Sequence, residues 1–254
     1  MNWTHAMLER TMKNRIRIWG NSHQGMKRNS NEDAYFFHPN CSVVAVADGM
    51  GGAAAGELAS ALFIETVKKA LNDCQQITLQ EARQFIPSVF QTANRSILDH
   101  VRQSPEHKGM GCTAELLLFF DEGYLVGHIG DSRTYRFRKA DLQQISRDHS
   151  LVQDYIDQGV LTPEEAMNHH LRHMIHRAVG IEDEIQIDLI HGRHLPGDIY
   201  LLCSDGLTDM VPDAQLKRIL AKDQDIEHKG KALIESALLA GGRDNVTVAL
   251  AEIL

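Results

Sequence analysis

The chain has 254 residues, of which 43% are hydrophobic and 24% charged, and its formal net charge is −8. This length is sufficient for one large domain with a substantial core, and the negative charge argues against nucleic acid or an anionic membrane surface as a partner. Four cysteines without a CxxC pair favour a reducing compartment. The polar segment 1–13 lacks the apolar core of a signal peptide, no apolar stretch approaches the roughly 20 residues of a membrane span, and we expect a cytoplasmic protein.

The first half of the chain contains predicted strands followed by helices. Strands are predicted at 15–19, where polar and apolar residues alternate, and at 35–37 and 43–47. The glycine-rich segment 51–56 precedes a helix whose apolar residues, Leu58, Leu62, Val67 and Leu71, recur at helical spacing. A second helical stretch covers 79–102, where Pro87 predicts a kink or the start of another helix.

The second half predicts paired strands, an inserted helical segment and a closing strand. The predicted strands are 112–120, 124–129, 133–137, 185–191, 199–204 and 246–253, and the predicted helices after the insertion are 213–222 and 226–240. Between them, about 148–180 has helical patterns and is interpreted as a flap. Hairpin-joined strands and consecutive helices favour antiparallel sheets covered by helices. We expect an N-terminal extension, 1–13, and one α+β domain, 14–254.

Acidic residues stand next to glycines where apolar runs end. Asp48, Asp131 and Asp205 follow such runs, and Asp244 directly precedes the last one. An unpaired carboxylate is costly to bury, so these acids are expected at one edge of a sheet, where they converge on positive charge. Oxygen ligands of this kind favour hard cations such as magnesium or manganese.

Each of these motifs also has a simpler interpretation. Asp and Gly are common turn residues, and the loop from Arg28 to Asp33 taken alone is typical of a solvated segment. The segment from Asp48 to Gly52 could be a phosphate-binding loop, but it lacks the lysine and the hydroxyl residue of that signature. The combination of four strand-edge acids with the Arg28–Asp33 loop is far less compatible with chance than any one motif.

In this order the motifs resemble the metal-dependent Ser/Thr protein phosphatases, the PPM or type 2C family, in its bacterial form. The matching segments are Arg28-Asn29-Ser30-Asn31-Glu32-Asp33, Asp48-Gly49-Met50-Gly51-Gly52, Gly111-Cys112-Thr113, Gly130-Asp131-Ser132-Arg133, Asp148-His149-Ser150, Ser204-Asp205-Gly206-Leu207 and Arg243-Asp244-Asn245-Val246-Thr247. The resemblance covers about residues 14–254. It implies a four-layer sandwich of two antiparallel β-sheets flanked by helices.

The resemblance also implies a role for each site residue. Asp48 is expected to bridge two metal ions, with Asp205 and Asp244 completing the first site and the Gly49 carbonyl and Glu32 at the second. Asp33 is expected to hold metal-bound waters, and Asp131 and Asp205 to form a weaker third site. Arg28 is expected to bind the substrate phosphate. Two Mn²⁺ or Mg²⁺ ions, with a third in bacterial relatives, are the implied cofactors.

The implied activity is hydrolysis of phosphoserine and phosphothreonine in proteins by a metal-bridged water, opposing a bacterial Ser/Thr kinase. The alternative is a weakly active pseudophosphatase that serves as a sensor or binding module. A calcium-stabilised structural protein would not explain Arg28, and cysteine-based chemistry is disfavoured because no arginine follows Cys203 to cradle a phosphate. Many eukaryotic members have a histidine general acid where this chain has Met50, which cannot donate a proton, so the proton donor stays unassigned.

The flap contains a group of histidines: His169, His170, His173 and His176. If the segment is helical, His169, His173 and His176 share one face. That face could hold a separate transition metal, but the preferred interpretation is a polar surface near the substrate groove.

Overall fold

The computed structural model describes residues 16–38, 40, 42–71, 77–121 and 123–254. The predicted N-terminal extension, Cys41 and Cys74 lie outside the described residues. In chain order the strands are β1 (Ile16–His23), β2 (Asp33–His38), β3 (Val43–Met50), β4 (Gly111–Cys112), β5 (Ala114–Phe120), β6 (Gly123–Ile129), β7 (Arg133–Arg138), β8 (Asp141–Gln144), β9 (Asp188–Gly192), β10 (Ile199–Cys203) and β11 (Val246–Ile253). The α-helices are α1 (Ala53–Ala70), α2 (Leu79–Gln103), α3 (Leu151–Asp157), α4 (Pro163–Met167), α5 (Asp205–Thr208), α6 (Asp213–Leu220) and α7 (Ile226–Leu239).

The strands form two antiparallel sheets. One sheet has the order β1-β11-β10-β7-β8, and the other has the order β2-β3-β5-β6-β9, with the short β4 paired to the end of β3. The sequence-adjacent strands β2 and β3, β5 and β6, and β7 and β8 pair directly, as the hairpin signals predict.

Apolar side chains pack in three layers between and outside these sheets. In β3, Val44 and Val46 face the opposite sheet, where they meet Leu202 and Ala249. The alternate residues Val43, Ala45 and Ala47 pack with α1 and α2. The third layer, which includes Leu201 and Leu233, lies between the first sheet and α6 and α7. Burial on both faces explains the continuous apolar sequence of β3. The predicted α+β four-layer sandwich is confirmed.

The structure corrects some predicted boundaries. Helix α2 runs through Pro87 without a second start, because a Thr78–Glu81 capping box fixes its N-terminus and buried residues including Ile86 and Phe90 hold it to the sheet. The strand expected from Ile185 begins only at Asp188. Strand β8 and the one-turn helix α5 were not predicted, since both are too short to show a period.

Candidate active site

Acidic residues from both sheets converge at one end of the sandwich. Asp48 lies near the end of β3 and faces Asp33 on β2 in the strand register. Asp205 follows β10, Asp244 precedes the neighbouring β11, and Asp131 lies between β6 and β7. Burial, and then repulsion from Asp33, Asp205, Asp131 and Asp244, raises the pKa of Asp48 well above its ordinary value. The aspartates predicted at the strand edges therefore share one electrostatic site.

Asp33 points into the sandwich rather than into solvent. Its Oδ2 accepts hydrogen bonds from Ser204 Oγ and Thr247 Oγ1, each at 2.7 Å. Its Oδ1 is buried without a hydrogen-bond partner. Burial raises the pKa of Asp33 to about 7. The interpretation of this loop as merely solvated is therefore wrong at Asp33.

Glu32 makes different contacts from its neighbour, as expected for adjacent residues on an extended chain. Its N–H donates to Asn245 Oδ1 at 2.9 Å, and its carbonyl accepts from Gly49 N at 3.1 Å and Ser60 Oγ at 2.6 Å. Its carboxylate packs on Gly56, where any Cβ would overlap it. Burial raises the pKa of Glu32. Glu32 is therefore a buried acid with a fixed backbone.

Arg28 lies at the mouth of the acidic site. Its Nη2 donates to Asp244 Oδ2 at 2.6 Å, while 48% of its side chain is exposed. The side chain of Asn245 holds this loop by donating to the carbonyls of Gln24, at 2.9 Å, and Ser30, at 2.8 Å. A guanidinium placed beside a carboxylate and open to solvent is suited to binding a phosphate.

Hydrogen bonds across the sheet end fix Asp48. Its N–H donates to Thr113 Oγ1 at 2.9 Å, and the Thr113 N–H returns a bond to the Asp48 carbonyl at 2.8 Å. Thr113 Oγ1 also lies 2.7 Å from Ser132 Oγ, next to Asp131. Gly49 contacts Gly56 so closely that a Cβ would overlap the Gly56 carbonyl, so glycine is required there.

The supporting residues were not predicted, although the sequence motifs contain them. Thr113, Ser204, Asn245 and Thr247 were part of the quoted segments without an assigned role. Their roles depend on partners far away in the chain: Ser204 is 171 residues from Asp33, and Thr247 is 214 residues from it. No local pattern in a single sequence signals such contacts.

The flap histidines do not share a helix face. Helix α4 ends at Met167, so residues 169–176 are not helical, and the shared face predicted for His169, His173 and His176 is wrong. Instead, His173 Nδ1 lies 3.7 Å from Asp205 Oδ2 and 3.6 Å from Asp209 Oδ2. A histidine of the flap thus reaches an acid of the active site, while His176 lies near Asp154.

The donor set fits hard divalent cations on two observations. The buried Asp33 Oδ1 has no hydrogen-bond partner. Burial, and then repulsion from the neighbouring acids, raises the pKa of Asp48 and Asp131, and bound cations would offset both effects. All of these side-chain donors are oxygens, the ligands that manganese and magnesium accept in such sites.

A groove with a volume of about 840 Å³ extends from these acids along the flap. Asp131, Asp205 and Asp244 line one part, and the flap side chains Val152, Ile156 and Met167 line another. The site can therefore receive an extended ligand, with its charged group at the acids and an apolar part against the flap.

Comparison with known proteins identifies the family. The family model "Protein phosphatase 2C" matches residues 19–236. The protein phosphatase PhpP of Streptococcus pneumoniae is 37% identical over 229 residues, covering 89% of this chain and 93% of the relative.

Two crystal structures of PstP give similar results. The serine/threonine phosphatase PstP/Ppp of Mycobacterium tuberculosis superposes with a TM-score of 0.87 at 37% identity, covering 94% of this chain and 99% of that one. The PstP catalytic domain in complex with two manganese ions gives a TM-score of 0.86 at 36% identity, with the same coverage of both chains. The chain therefore belongs to the protein phosphatase 2C family and is a protein serine/threonine phosphatase of the bacterial PPM type.

Proposed function

We propose that this chain hydrolyses phosphoserine and phosphothreonine in proteins with two bound Mn²⁺ or Mg²⁺ ions, and that a weaker third site lies at Asp131 and Asp205. The observation that carries the proposal is the convergence of Asp33, Asp48, Asp205 and Asp244 beneath the half-exposed guanidinium of Arg28. Cations of this kind, when bound, lower the pKa of water and offset the charge of the phosphoryl oxygens.

Residues of this chain would hold the ions, the waters and the substrate phosphate. Asp48, Asp205 and Asp244 would hold the first ion, while Asp48, the Gly49 carbonyl and Glu32 would hold the second. Asp33, fixed by Ser204 and Thr247, would accept hydrogen bonds from waters in the site. Arg28 would exchange its bond to Asp244 for the substrate phosphate and so orient the phosphoryl group for attack.

The groove beside the flap is where we place the peptide around the phosphorylated residue. Its apolar side chains, Val152, Ile156 and Met167, would cover part of the peptide and exclude water near the acids. The partners would be phosphoproteins, including a Ser/Thr kinase and its targets. No helix in the described part combines the length and apolar character that a bilayer span requires. The expectation of a cytoplasmic location rests on the cysteine usage of the sequence.

A pseudophosphatase is less well supported, because the required side chains are all present. Asp33, Asp48, Asp205 and Asp244 lie together, and Arg28 is beside them. A binding module would not need to keep Asp33 Oδ1 buried without a partner, since that arrangement costs stability unless a ligand offsets it.

The test is turnover of a phosphothreonine peptide with Mn²⁺ and with excess EDTA. We expect phosphate release with manganese and none with the chelator. The Asp48→Asn variant should lose at least roughly 100-fold in kcat, because it removes a carboxylate that would hold both cations, and its circular dichroism should match the wild type. Turnover that persists in EDTA, or an active Asp48→Asn variant, would refute the metal assignment. Stable phosphopeptide binding without turnover would favour the pseudophosphatase.

A further inference from the structure

A buried polar cluster beneath the flap has no part in the proposed reaction. Glu115 and His128 face each other across β5 and β6, and both side chains are fully buried. His128 Nδ1 contacts Glu115 Oε1, and Thr134 Oγ1 donates to Glu115 Oε2. Thr134 belongs to the other sheet, so the cluster lies in the sandwich interior. Burying ionisable groups in the interior of the sandwich costs free energy. The contacts that these groups make therefore indicate their role.

The contacts of His128 fix where its protons are. Nε2 lies 2.8 Å from the carbonyl oxygen of Arg147, which can only accept, so Nε2 carries a hydrogen. A second proton is shared between Nδ1 and Glu115, and the pair is electrically neutral with that proton on either side. In both arrangements His128 donates to Arg147, the residue directly before the flap.

His149, the second residue of the flap, continues the cluster. Its ring lies 4.5 Å from that of His128, between centroids. Its N–H donates to the Gly130 carbonyl at 2.7 Å, and its Nδ1 accepts from the Gly130 N–H at 3.1 Å. Burial, and then the neighbouring His128 and Arg177, lowers the pKa of His149 to about 4, so the ring is neutral near pH 7. Its Nε2 lies 3.2 Å from Arg177 Nη1 and 3.4 Å from Asp188 Oδ2. His149 thus holds both backbone groups of the residue preceding Asp131.

We propose that Glu115, His128 and His149 are positioning residues that fix the base of the flap to the turn carrying Asp131, so that the groove presents one geometry to a phosphopeptide. The inference rests on the proposed use of that groove by the substrate. Gly130 has a φ of 109°, which glycine adopts readily and other residues rarely do, and His149 pairs both of its backbone groups. His149 also accepts the His176 N–H at 3.0 Å, which connects the two ends of the flap.

An apolar version of the cluster separates positioning from stability. Replacing buried ionic groups by apolar ones of similar volume is often neutral or stabilising, but the Arg147 carbonyl is left without its donor. The triple variant Glu115→Leu/His128→Phe/Thr134→Val should therefore fold with a Tm within about 5 °C of the wild type. Because the Arg147 carbonyl at the base of the flap loses its donor, we expect KM for a phosphothreonine peptide to rise roughly tenfold. Turnover of p-nitrophenyl phosphate, which does not fill the groove, should stay within about twofold. A wild-type KM for the peptide in a folded triple variant would overturn the proposal.

A matched pair of substitutions at His149 tests its contact with Gly130 even if the triple variant fails to fold. In His149→Asn the amide oxygen can replace Nδ1 as the acceptor for Gly130, whereas His149→Phe offers no acceptor. We expect the Phe variant alone to show the raised peptide KM, with faster amide hydrogen exchange at Gly130 in the metal-free protein. Equal peptide KM values and equal exchange rates in the two variants would contradict the positioning role of His149. If the wild type itself lacks turnover, the proposed function fails, while the hydrogen-exchange comparison still shows whether His149 holds Gly130.

Discussion

At the scale of single residues, acids that look alike in the sequence have different surroundings in the structure. Asp33 is held in the interior by Ser204 and Thr247, whereas Asp244 is partly exposed and bonded to Arg28. The sequence predicted that Asp48, Asp131, Asp205 and Asp244 converge, because each lies at one end of an apolar run, whereas the role of Asp33 was implied only by the family resemblance. It could not predict the supporting hydroxyl and amide groups, whose partners are brought together only by the fold.

Substitution of Arg28 tests the phosphate-binding role. Arg28→Ala should raise KM for a phosphothreonine peptide by roughly 10- to 100-fold, because a charge-assisted pair of hydrogen bonds to phosphate is lost. The KM of Arg28→Lys should lie between those of the wild type and Arg28→Ala, since an ammonium group keeps the charge but lacks the planar guanidinium. Steady-state kinetics at saturating manganese would measure both. The exposed neighbour Lys27 provides the control: an equal effect of Lys27→Ala would indicate general attraction rather than a specific contact.

At the scale of elements, the flap shows where periodicity is a poor guide. The flap was predicted to be helical, but residues 169–176 form no helix and are held partly by contacts with the start of the flap. Leu151 N–H donates to the Met174 carbonyl at 2.9 Å, and the His176 N–H donates to the His149 carbonyl at 3.0 Å. These partners satisfy the backbone without a helix. The strands of the sandwich were predicted more accurately because burial imposes a continuous apolar pattern on them.

Helix α2 anchors the far end of the flap through Asn94. The buried amide accepts from Gly180 N at 2.6 Å and donates to the Glu182 carbonyl at 2.8 Å. Asn94→Ala should lower the free energy of unfolding by about 1–3 kcal/mol, because it leaves the buried Gly180 N–H unpaired. Urea denaturation would measure the change. Thr92→Ala, at an exposed position of the same helix, should change stability by less than about 0.5 kcal/mol. Equal effects of the two substitutions would show that Asn94 is not an anchor.

At the scale of the whole molecule, two sheets bring acids from five separate parts of the chain to one end. Burial, and then their mutual repulsion, raises the pKa values of Asp33, Asp48 and Asp131. A carboxyl whose pKa is raised on folding stabilises the native state fully below its unfolded pKa, and this contribution is lost as pH rises through the folded pKa. His149, whose pKa is lowered to about 4, acts in the opposite direction, but only between that value and about 6.5.

Between pH 6.5 and 8.5 the acids therefore dominate, and the metal-free protein should become less stable as pH rises. We expect its Tm to fall by about 5 °C, which corresponds to a loss on the order of 1–2 kcal/mol in a domain of this size. Saturating manganese should remove most of this slope, because bound cations favour the ionised acids. Scanning calorimetry in EDTA and in Mn²⁺ would measure it. The Asp33→Asn variant should show a shallower slope, since Asp33 titrates at about pH 7. A metal-free Tm that rises over this range would mean that the acids are neutralised by the protein itself, and the case for a cation site at this end of the sandwich would fail.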